Sequence, residues 1–263
     1  MCYASFQGMS GISRRNFLKL GALALPLAVG GDAGLARSYR LRVTELKLNA
    51  AGKCRFVHFS DFHYVGDASY AAEVVDSINR LRPEFVCFTG DLVEDRSFAN
   101  EALGFIREIK SPVYGIPGNH DYWSRAPFSE YERAFAATGG AWIPNSSVVL
   151  PQHDIELVGN GIVGMPAVNS PLVTRHLLMI HYPAMADQLG KRKFDLILAG
   201  HSHGGQVRIP FVGPLVLPHA VKPYDYGSYA TPAGPLYVNA GIGTLSSFPV
   251  RWNCPPEITV VTI

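Results

Sequence analysis

Leu198-Ala-Gly-His-Ser-His-Gly-Gly-Gln206 is the stretch on which the reading of the whole chain turns. The apolar run Phe194 to Ala199 reads as a buried strand, and it delivers two imidazoles, His201 and His203, onto a glycine-rich turn. Side chains two apart share a face of an extended segment, and glycine admits backbone torsions that other residues resist. One such pair could be accidental. The segments Phe59-Ser-Asp-Phe-His63, Thr89-Gly-Asp91 and Pro117-Gly-Asn-His-Asp121 repeat the pattern, and Leu177-Leu-Met-Ile-His181 ends a further apolar run in a histidine. Each run has the length of a short strand, with polar groups at its carboxyl end and a turn residue close by. Open α/β sheets build their sites outside the carboxyl ends of their strands. Carboxylates, an amide and imidazoles delivered together to that edge indicate a metal site.

Around this constellation the chain is ordinary. It has 263 residues, 48% hydrophobic and 17% charged, enough for one substantial core. Net charge is +2 without a long basic run in the later sequence, which gives no support to a nucleic-acid partner. The beginning differs in character. Ser13-Arg-Arg-Asn-Phe-Leu-Lys19 precedes a modest apolar run, Leu20 to Gly30, and then small residues around Ala33-Gly-Leu-Ala36. Basic, then apolar, then small is the order of a secretory signal, and the run is short for a membrane span. The paired arginines followed by Phe-Leu-Lys resemble a twin-arginine export signal. A leader or anchor over 1–36 and one domain over 37–263 are therefore expected. The export machinery becomes an expected partner and the periplasm or membrane surface the expected location; an uncleaved leader on the cytoplasmic face is the alternative. Of the cysteines, Cys87 falls in a buried run, while Cys54 and Cys254 could pair in an oxidising compartment.

The order of elements is legible. A surface or edge strand is expected from Leu41 to Leu48, and buried strands over Arg55 to Ser60, Phe85 to Thr89 and Val113 to Ile116. Amphipathic helices are expected over Tyr70 to Leu81, Phe98 to Ile109 and Phe128 to Ala137, the last stopped at Gly139-Gly140. Strand–helix–strand alternation implies parallel pairing with right-handed crossovers. The second half is β-rich: Ala141 to Leu150, Ile155 to Val163, the strands ending at His181 and Ala199, then Val207 to Ile209, Tyr226 to Thr231, Leu236 to Gly241 and Ile258 to Ile263. One short helix is expected near Met185 to Lys191. Two such halves give an α/β fold, a four-layer αββα sandwich of two mixed sheets flanked by helices.

The motifs Asp-x-His, Gly-Asp, Gly-Asn-His-Asp, a strand-end His and Gly-His-x-His, in that order from Asp61 to His203, resemble those of the calcineurin-like metallophosphoesterases. The resemblance implies two divalent ions, of manganese, iron or zinc, and hydrolysis of a phosphoester by metal-activated hydroxide. It implies that Asp91 bridges both ions, that Asp61, His63 and His203 complete one site, and that Asn119, His181 and His201 complete the other. His120 would face the substrate, to stabilise phosphoryl oxygens or protonate the leaving oxygen. Asp121 would either orient His120 or cap its turn. Gly90 and Gly118 would let the backbone approach the ions. Outside the motifs, His58 reads as structural and Glu94 and Asp95 as solvated loop charges, while His153, His176 and His219 have no assigned role.

Gly200-His-Ser-His-Gly-Gly-Gln-Val-Arg-Ile-Pro210 and Trp252-Asn-Cys-Pro-Pro-Glu-Ile258 further resemble a bacterial branch of exported phosphodiesterases. That branch includes proteins that cleave the pyrophosphate of UDP-2,3-diacylglucosamine. The chain departs from it between Val158 and His181, which is short, with Met165 to Pro171 reading as loop. Phe62, Tyr64, Tyr122 and Trp123, with the apolar segment Phe211 to Pro218, could seat an acyl chain or nucleobase, rest on a membrane, or simply pack. A phosphomonoesterase on the same scaffold is the nearest rival, favoured by an open, polar pocket. A non-catalytic binding module is the more distant one, and it should have lost ligands that this chain retains.

Overall fold

The computed structural model describes residues 40–48, 52, 54–162 and 172–263. The expected leader and the Met165 to Pro171 loop lie outside these residues, as does Val163. In chain order the first half contains β1 (Arg42–Lys47), β2 (Arg55–Phe59), α1 (Ala68–Leu81), β3 (Val86–Phe88), α2 (Ala99–Arg107), β4 (Val113–Gly115), α3 (Asn119–Trp123), α4 (Phe128–Ala137) and β5 (Ala141–Trp142). The second contains β6 (Ser146–Leu150), β7 (Ile155–Gly159), β8 (Arg175–Met179), β9 (Leu196–Ala199), β10 (Arg208–Ile209), β11 (Gly213–Pro214), β12 (Gly227–Thr231), β13 (Gly234–Val238) and β14 (Glu257–Thr262).

The strands form two six-stranded mixed sheets and a small hairpin. One sheet runs β1-β14-β2-β3-β4-β5 and the other β12-β13-β9-β8-β7-β6. Strands β2, β3, β4 and β5 pair in parallel, as the alternation with helices requires, and so do β7, β8, β9 and β13. The chain's late strand β14 inserts between β1 and β2, parallel to the first and antiparallel to the second. Strand β1 is an edge, as its alternating pattern predicts.

Period-two alternation sorts the core into layers. Phe56, Cys87, Leu177, Met179, Leu196 and Leu198 point into one cluster shared by both sheets. Their neighbours Val57, Phe59, Val86 and Phe88 point the other way, under the helices. Helix α1 meets them with Ala71, Val74, Val75 and Ile78, a stripe spaced at helical period. Asp67 starts that helix by accepting the Tyr70 amide at 3.0 Å, and Arg82 ends it in the left-handed region. Fully burying a large aliphatic side chain contributes about 1.5–3 kcal/mol, so this stripe fixes which face of α1 turns inward.

The far side of the second sheet is thinner than expected. Val158, Leu178, Ile180, Ile197 and Ala199 pack there against a single 3₁₀ segment, Pro183–Gln188, with Tyr224 and Ala233. This segment is the short helix expected near Met185 to Lys191, of 3₁₀ type and begun two residues earlier. Pro183 sets its start, and Gly190 turns the chain away at φ +64° two residues after its end. Three cysteines lie among the described residues, and all are buried free thiols. Cys54 belongs to the inter-sheet core, whereas the Cys254 thiol donates to the His203 carbonyl at 3.4 Å, so the possible pair is not formed.

Candidate metal centre

Parallel pairing brings the carboxyl ends of β2, β3 and β4 side by side, and those of β8 and β9 beside each other in the facing sheet. The segments that follow these strands carry every residue singled out from the motifs. Asp61, His63 and His203 present ligand atoms all within 4.8 Å of one another, and so do Asp91, His181 and His201. A third trio at that spacing, His63, Asp91 and His120, links the two. Asn119 joins through its Oδ1, 3.0 Å from His181 Nε2. The paired histidines fall in different trios, His203 with Asp61 and His63, and His201 with Asp91 and His181.

The site is a junction between sheets. The His201 amide donates to both carboxylate oxygens of Asp61 at 3.0 Å, and His181 Nδ1 meets the Thr89 carbonyl at 2.8 Å. That carbonyl makes Nδ1 the protonated nitrogen and turns Nε2 toward Asp91 Oδ2, 3.2 Å away. His201 is held in the opposite sense, its Nε2 meeting the His219 carbonyl at 3.0 Å. Gly200 makes the contact between sheets possible, because a Cβ there would stand 1.9 Å from Ser60 Oγ and 2.5 Å from Asp61 Oδ2.

The backbone is strained where these candidate ligands sit. Asp61, His63, Asp91, His201 and His203 all lie in the left-handed region, with φ of 53°, 46°, 60°, 69° and 49°. Such positions cost on the order of 1–3 kcal/mol each and persist where surrounding structure over-determines them. Packing alone gives no reason for five of them around one point.

The electrostatics divide the imidazoles into two kinds. Burial opposes charge on His181, yet Asp91, Asp61 and the Thr89 carbonyl outweigh it and raise its pKa to about 9. His63 is raised in the same way, against burial, by Glu94, Asp91 and Asp61. Burial and neighbouring cations instead push His201 down to about 3 and His203 well below its usual value. Burial raises Asp61, with Asp91 adding to it, while Asp91 is lowered because His181, His63 and His120 outweigh its burial. Two buried carboxylates thus have positive charge gathered around them and neutral imidazoles waiting beside them.

The donor set fits divalent cations. His63 Nε2 and His203 Nδ1 are buried without a hydrogen-bond partner among the described residues, although each belongs to a ligand-spaced trio. Buried polar atoms ordinarily find partners, so orphans at this spacing point to an ion. Mixed imidazole, carboxylate and amide ligands suit manganese, iron or zinc.

Several residues outside the ligand set are also at work. Glu94 is not a solvated loop charge: its Oε1 lies 3.2 Å from His63 Nδ1 and accepts the Ser246 amide at 3.1 Å. Although burial would raise it, the His63 and Ser246 contacts lower its pKa to about 2. Asp95 caps the next turn through the Ser97 amide, as a loop charge can. Of the side-chain hydrogen bonds of Asp121, one holds its own turn and the others reach the loop after β3 and helix α4. One oxygen accepts the Asp91 and Gly118 amides at 2.8 and 2.9 Å, and the other accepts Leu92 N and Tyr131 Oη at 3.0 and 3.1 Å. This carboxylate starts α3, a short helix hidden inside the Gly-Asn-His-Asp motif. Gly90 and Gly118 serve the same junction, since a Cβ on Gly90 would strike Gly118 N at 2.3 Å and one on Gly118 would strike Asp91 Oδ1 at 2.1 Å. They let the two loops approach each other.

Asp61 is backed by the loop after β13. Gly241 lies against Asp61 Cβ, and buried Arg251 holds that loop by donating to the carbonyls of Ala240, Gly241 and Gly243. The sequence signal for Arg251 was weak, an isolated cation between apolar residues. His58 is structural as expected, its Nε2 meeting Thr89 Oγ1 at 2.9 Å. His219 lines the cavity above the ligands, while His176 pairs with Glu156 at 2.9 Å away from them. The flanking aromatics split: Phe62 and Tyr64 are core, whereas Tyr122 and Trp123 are exposed.

Over the ligands opens a cavity of about 400 Å³. Its floor is Asp91, Asn119, His201 and His203, and its walls include His120, Trp123, Val216, Leu217, Leu245 and Phe248. His120 is half-buried there between the rings of His63 and Trp123, and its amide donates to Asp91 Oδ1 at 2.7 Å. A phosphoester at the floor would have apolar substituents against apolar walls.

Comparisons with known proteins identify the family. The model of the calcineurin-like phosphoesterases matches residues 54–205. The uncharacterized metallophosphoesterase YkuE of Bacillus subtilis is 30% identical, over 97% of this chain and 99% of its own length. The phosphodiesterase YaeI of Escherichia coli is 27% identical, over 96% of this chain and 99% of its own. Among solved structures, TT1561 of Thermus thermophilus aligns over 72% of this chain and 90% of that one, with a TM-score of 0.46 at 11% identity. The chain belongs to the calcineurin-like phosphoesterases and is a metal-dependent phosphoester hydrolase.

Proposed function

We propose that the chain hydrolyses a phosphodiester or pyrophosphate bond with two divalent ions held across Asp91. Asp61, His63 and His203 would hold one ion, Asn119, His181 and His201 the other, and Asp91 would serve both, since only a carboxylate offers each ion an oxygen. The overlapping ligand-spaced trios carry this reading. When bound, such ions neutralise phosphoryl charge and make a hydrolytic nucleophile available near neutral pH.

The chain's own groups supply orientation and proton placement. Thr89 and Glu94 fix the rings of His181 and His63 from behind. Asp121 holds the amides of Asp91 and Gly118, and so the spacing of the two loops that carry Asp91 and Asn119. Burial lowers the His120 pKa against the pull of Asp91, which favours its neutral ring. A neutral ring donates a hydrogen bond from one nitrogen, which suits stabilising a phosphoryl oxygen better than giving up a proton.

The apolar cavity wall supports a diester with a bulky substituent over a small monoester. A lipid-linked or nucleotide-sugar substrate such as UDP-2,3-diacylglucosamine is the finer form of the proposal, and export by the twin-arginine route its expected setting. Hydrolysis of a bis-aryl phosphodiester with Mn²⁺, lost in Asp91→Ala, is the expected result; an Asp91→Ala variant at the wild-type rate refutes the shared-carboxylate assignment. Rates on a monoester, a diester and UDP-2,3-diacylglucosamine then rank the substrate classes. Fractionation of an Arg14→Lys, Arg15→Lys variant beside wild type tests export, and unchanged distribution argues against it.

A further inference from the structure

The mouth of the cavity carries an unusual amount of uncovered apolar surface. The hairpin of β10 and β11 holds its turn out in solvent, with Phe211 fully exposed and Val212 at 76%. Val216 and Trp123 remain 70% and 67% exposed, and Phe248 45%. Scattered exposed apolar residues are normal, but contiguous ones mark a contact surface. These converge, because Trp123, Val216 and Phe248 are also walls of the cavity above Asp91. The hairpin is fastened to the same place: Gly205 lies so close to Pro214 that a Cβ would come within 2.4 Å, and Gln206 Nε2 donates to the Phe248 carbonyl at 2.6 Å.

Charge indicates what covers this surface. The segments 122–127, 205–223 and 244–253 contain Arg125, Arg208, Lys222 and Arg251 but no aspartate or glutamate. Arg251 is buried, and Arg208 is paired with Asp225 at 2.8 Å, while Arg125 and Lys222 are exposed. The nearby anions are already engaged, Asp225 by Arg208 and Glu94 by His63 and the Ser246 amide. With them accounted for, a phenylalanine–valine tip, an indole at the cavity mouth and two exposed cations match the boundary between anionic headgroups and acyl chains.

We infer that this rim docks on an anionic lipid surface, with Phe211 and Val212 entering the headgroup–acyl boundary and the cavity mouth turned toward the membrane. A phosphoester at headgroup depth then reaches the floor of the cavity while its apolar part stays in lipid. The docking stands on the surface itself and does not depend on which phosphoester is cleaved.

The test uses the full chain with vesicles of phosphatidylcholine alone or mixed with phosphatidylglycerol. Wild type is expected to partition onto the mixed vesicles, and a Phe211→Ser, Val212→Ser variant to bind at least about tenfold more weakly. Hydrolysis of a water-soluble bis-aryl phosphodiester should be unchanged in that variant. Lys222→Gln with Arg125→Gln should weaken binding to mixed vesicles alone. Because the apolar run Leu20 to Gly30 could itself bind lipid, a local reading is needed. In Phe211→Trp, acyl-brominated lipid should quench the added indole beyond the wild-type signal. No added quenching, or equal partition of the double-serine variant, overturns the inference. So does self-association that hides the rim without vesicle binding, which would make a second copy the occupant. Vesicle binding without diester hydrolysis would leave the docking standing and sink the proposed activity.

Discussion

Replacing Gly200 by alanine tests whether the junction between the sheets sets the metal centre. The added Cβ would stand 2.5 Å from Asp61 Oδ2, and ordinary contact begins at 3.4 Å, so that oxygen must retreat by about 0.9 Å. Ser60 Oγ, nearer at 1.9 Å, can rotate away, but the Ser60 Cβ at 2.8 Å cannot. Asp61 has less freedom, since both its oxygens receive the His201 amide and its Cβ packs on Gly241. Overpacking of about 1–3 kcal/mol plus a weakened hydrogen bond of about 1 kcal/mol gives a destabilisation of roughly 2–4 kcal/mol. Misplacing a group at the reacting centre by about 1 Å can cost on the order of 10²-fold in rate. The assay is bis-aryl phosphodiester hydrolysis at saturating Mn²⁺, beside urea unfolding. Adding Ser60→Gly removes the nearer clash and leaves the one with Asp61, so stability should partly return while the rate should not. A Gly200→Ala variant within about threefold of wild-type activity would refute the reasoning.

Gly104 is the contrasting glycine, inside α2 with nothing within 4 Å of an added Cβ. Gly104→Ala should stabilise by about 0.5–1 kcal/mol in urea unfolding, and a loss would show the site is not open. Glu94→Ala removes the group behind His63 Nδ1 and should raise the Mn²⁺ concentration for half-maximal activity by about 10–100-fold, with much of the rate recovered at high Mn²⁺. An unchanged Mn²⁺ curve would mean that Glu94 does not position His63. His58 provides a pH signature, its pKa pushed down to about 3 by burial. Between its unfolded value near 6.5 and that figure, the unfolded chain takes up a proton the folded chain refuses. Its contribution to stability therefore falls as pH falls through the window, by up to about 1.4 kcal/mol per pH unit. His58→Gln should flatten the acid limb of a stability–pH curve, and identical limbs would assign that slope to other groups.

The sequence carried the candidate ligand positions because each lies within a few residues of the end of an apolar strand, and parallel pairing puts such groups at one edge. Asp61, Asp91, His181 and His201 needed only that rule. It could not reveal what stands behind them. Glu94 looks like a loop charge because its partner, His63, lies far back along the chain; the apolar pair Leu92-Val93 before it was the available sign that the segment stays buried. Asp121 invited a link to the neighbouring His120, yet its bonds go to amides on two loops, which tertiary closure alone brings within reach. Helix α3 was hidden because a ligand motif and a helix start share the same residues. At Met185, helical spacing was present, but Pro183 and Gly190 left room for one 3₁₀ segment.

The place of β14 bears on how the enzyme comes into being during synthesis. This strand, Glu257–Thr262, lies between β1 and the ligand-bearing β2, and Arg251 just before it holds the loop that backs Asp61. Every ligand has left the ribosome some fifty residues before that strand does, yet a growing chain cannot close the first sheet until it arrives. Until then β2, the strand that leads to Asp61 and His63, is an open sheet edge that can pair with another chain. Completion of the first sheet therefore waits on the last strand in the sequence, and premature termination before it should yield an aggregation-prone fragment instead of a weakened enzyme.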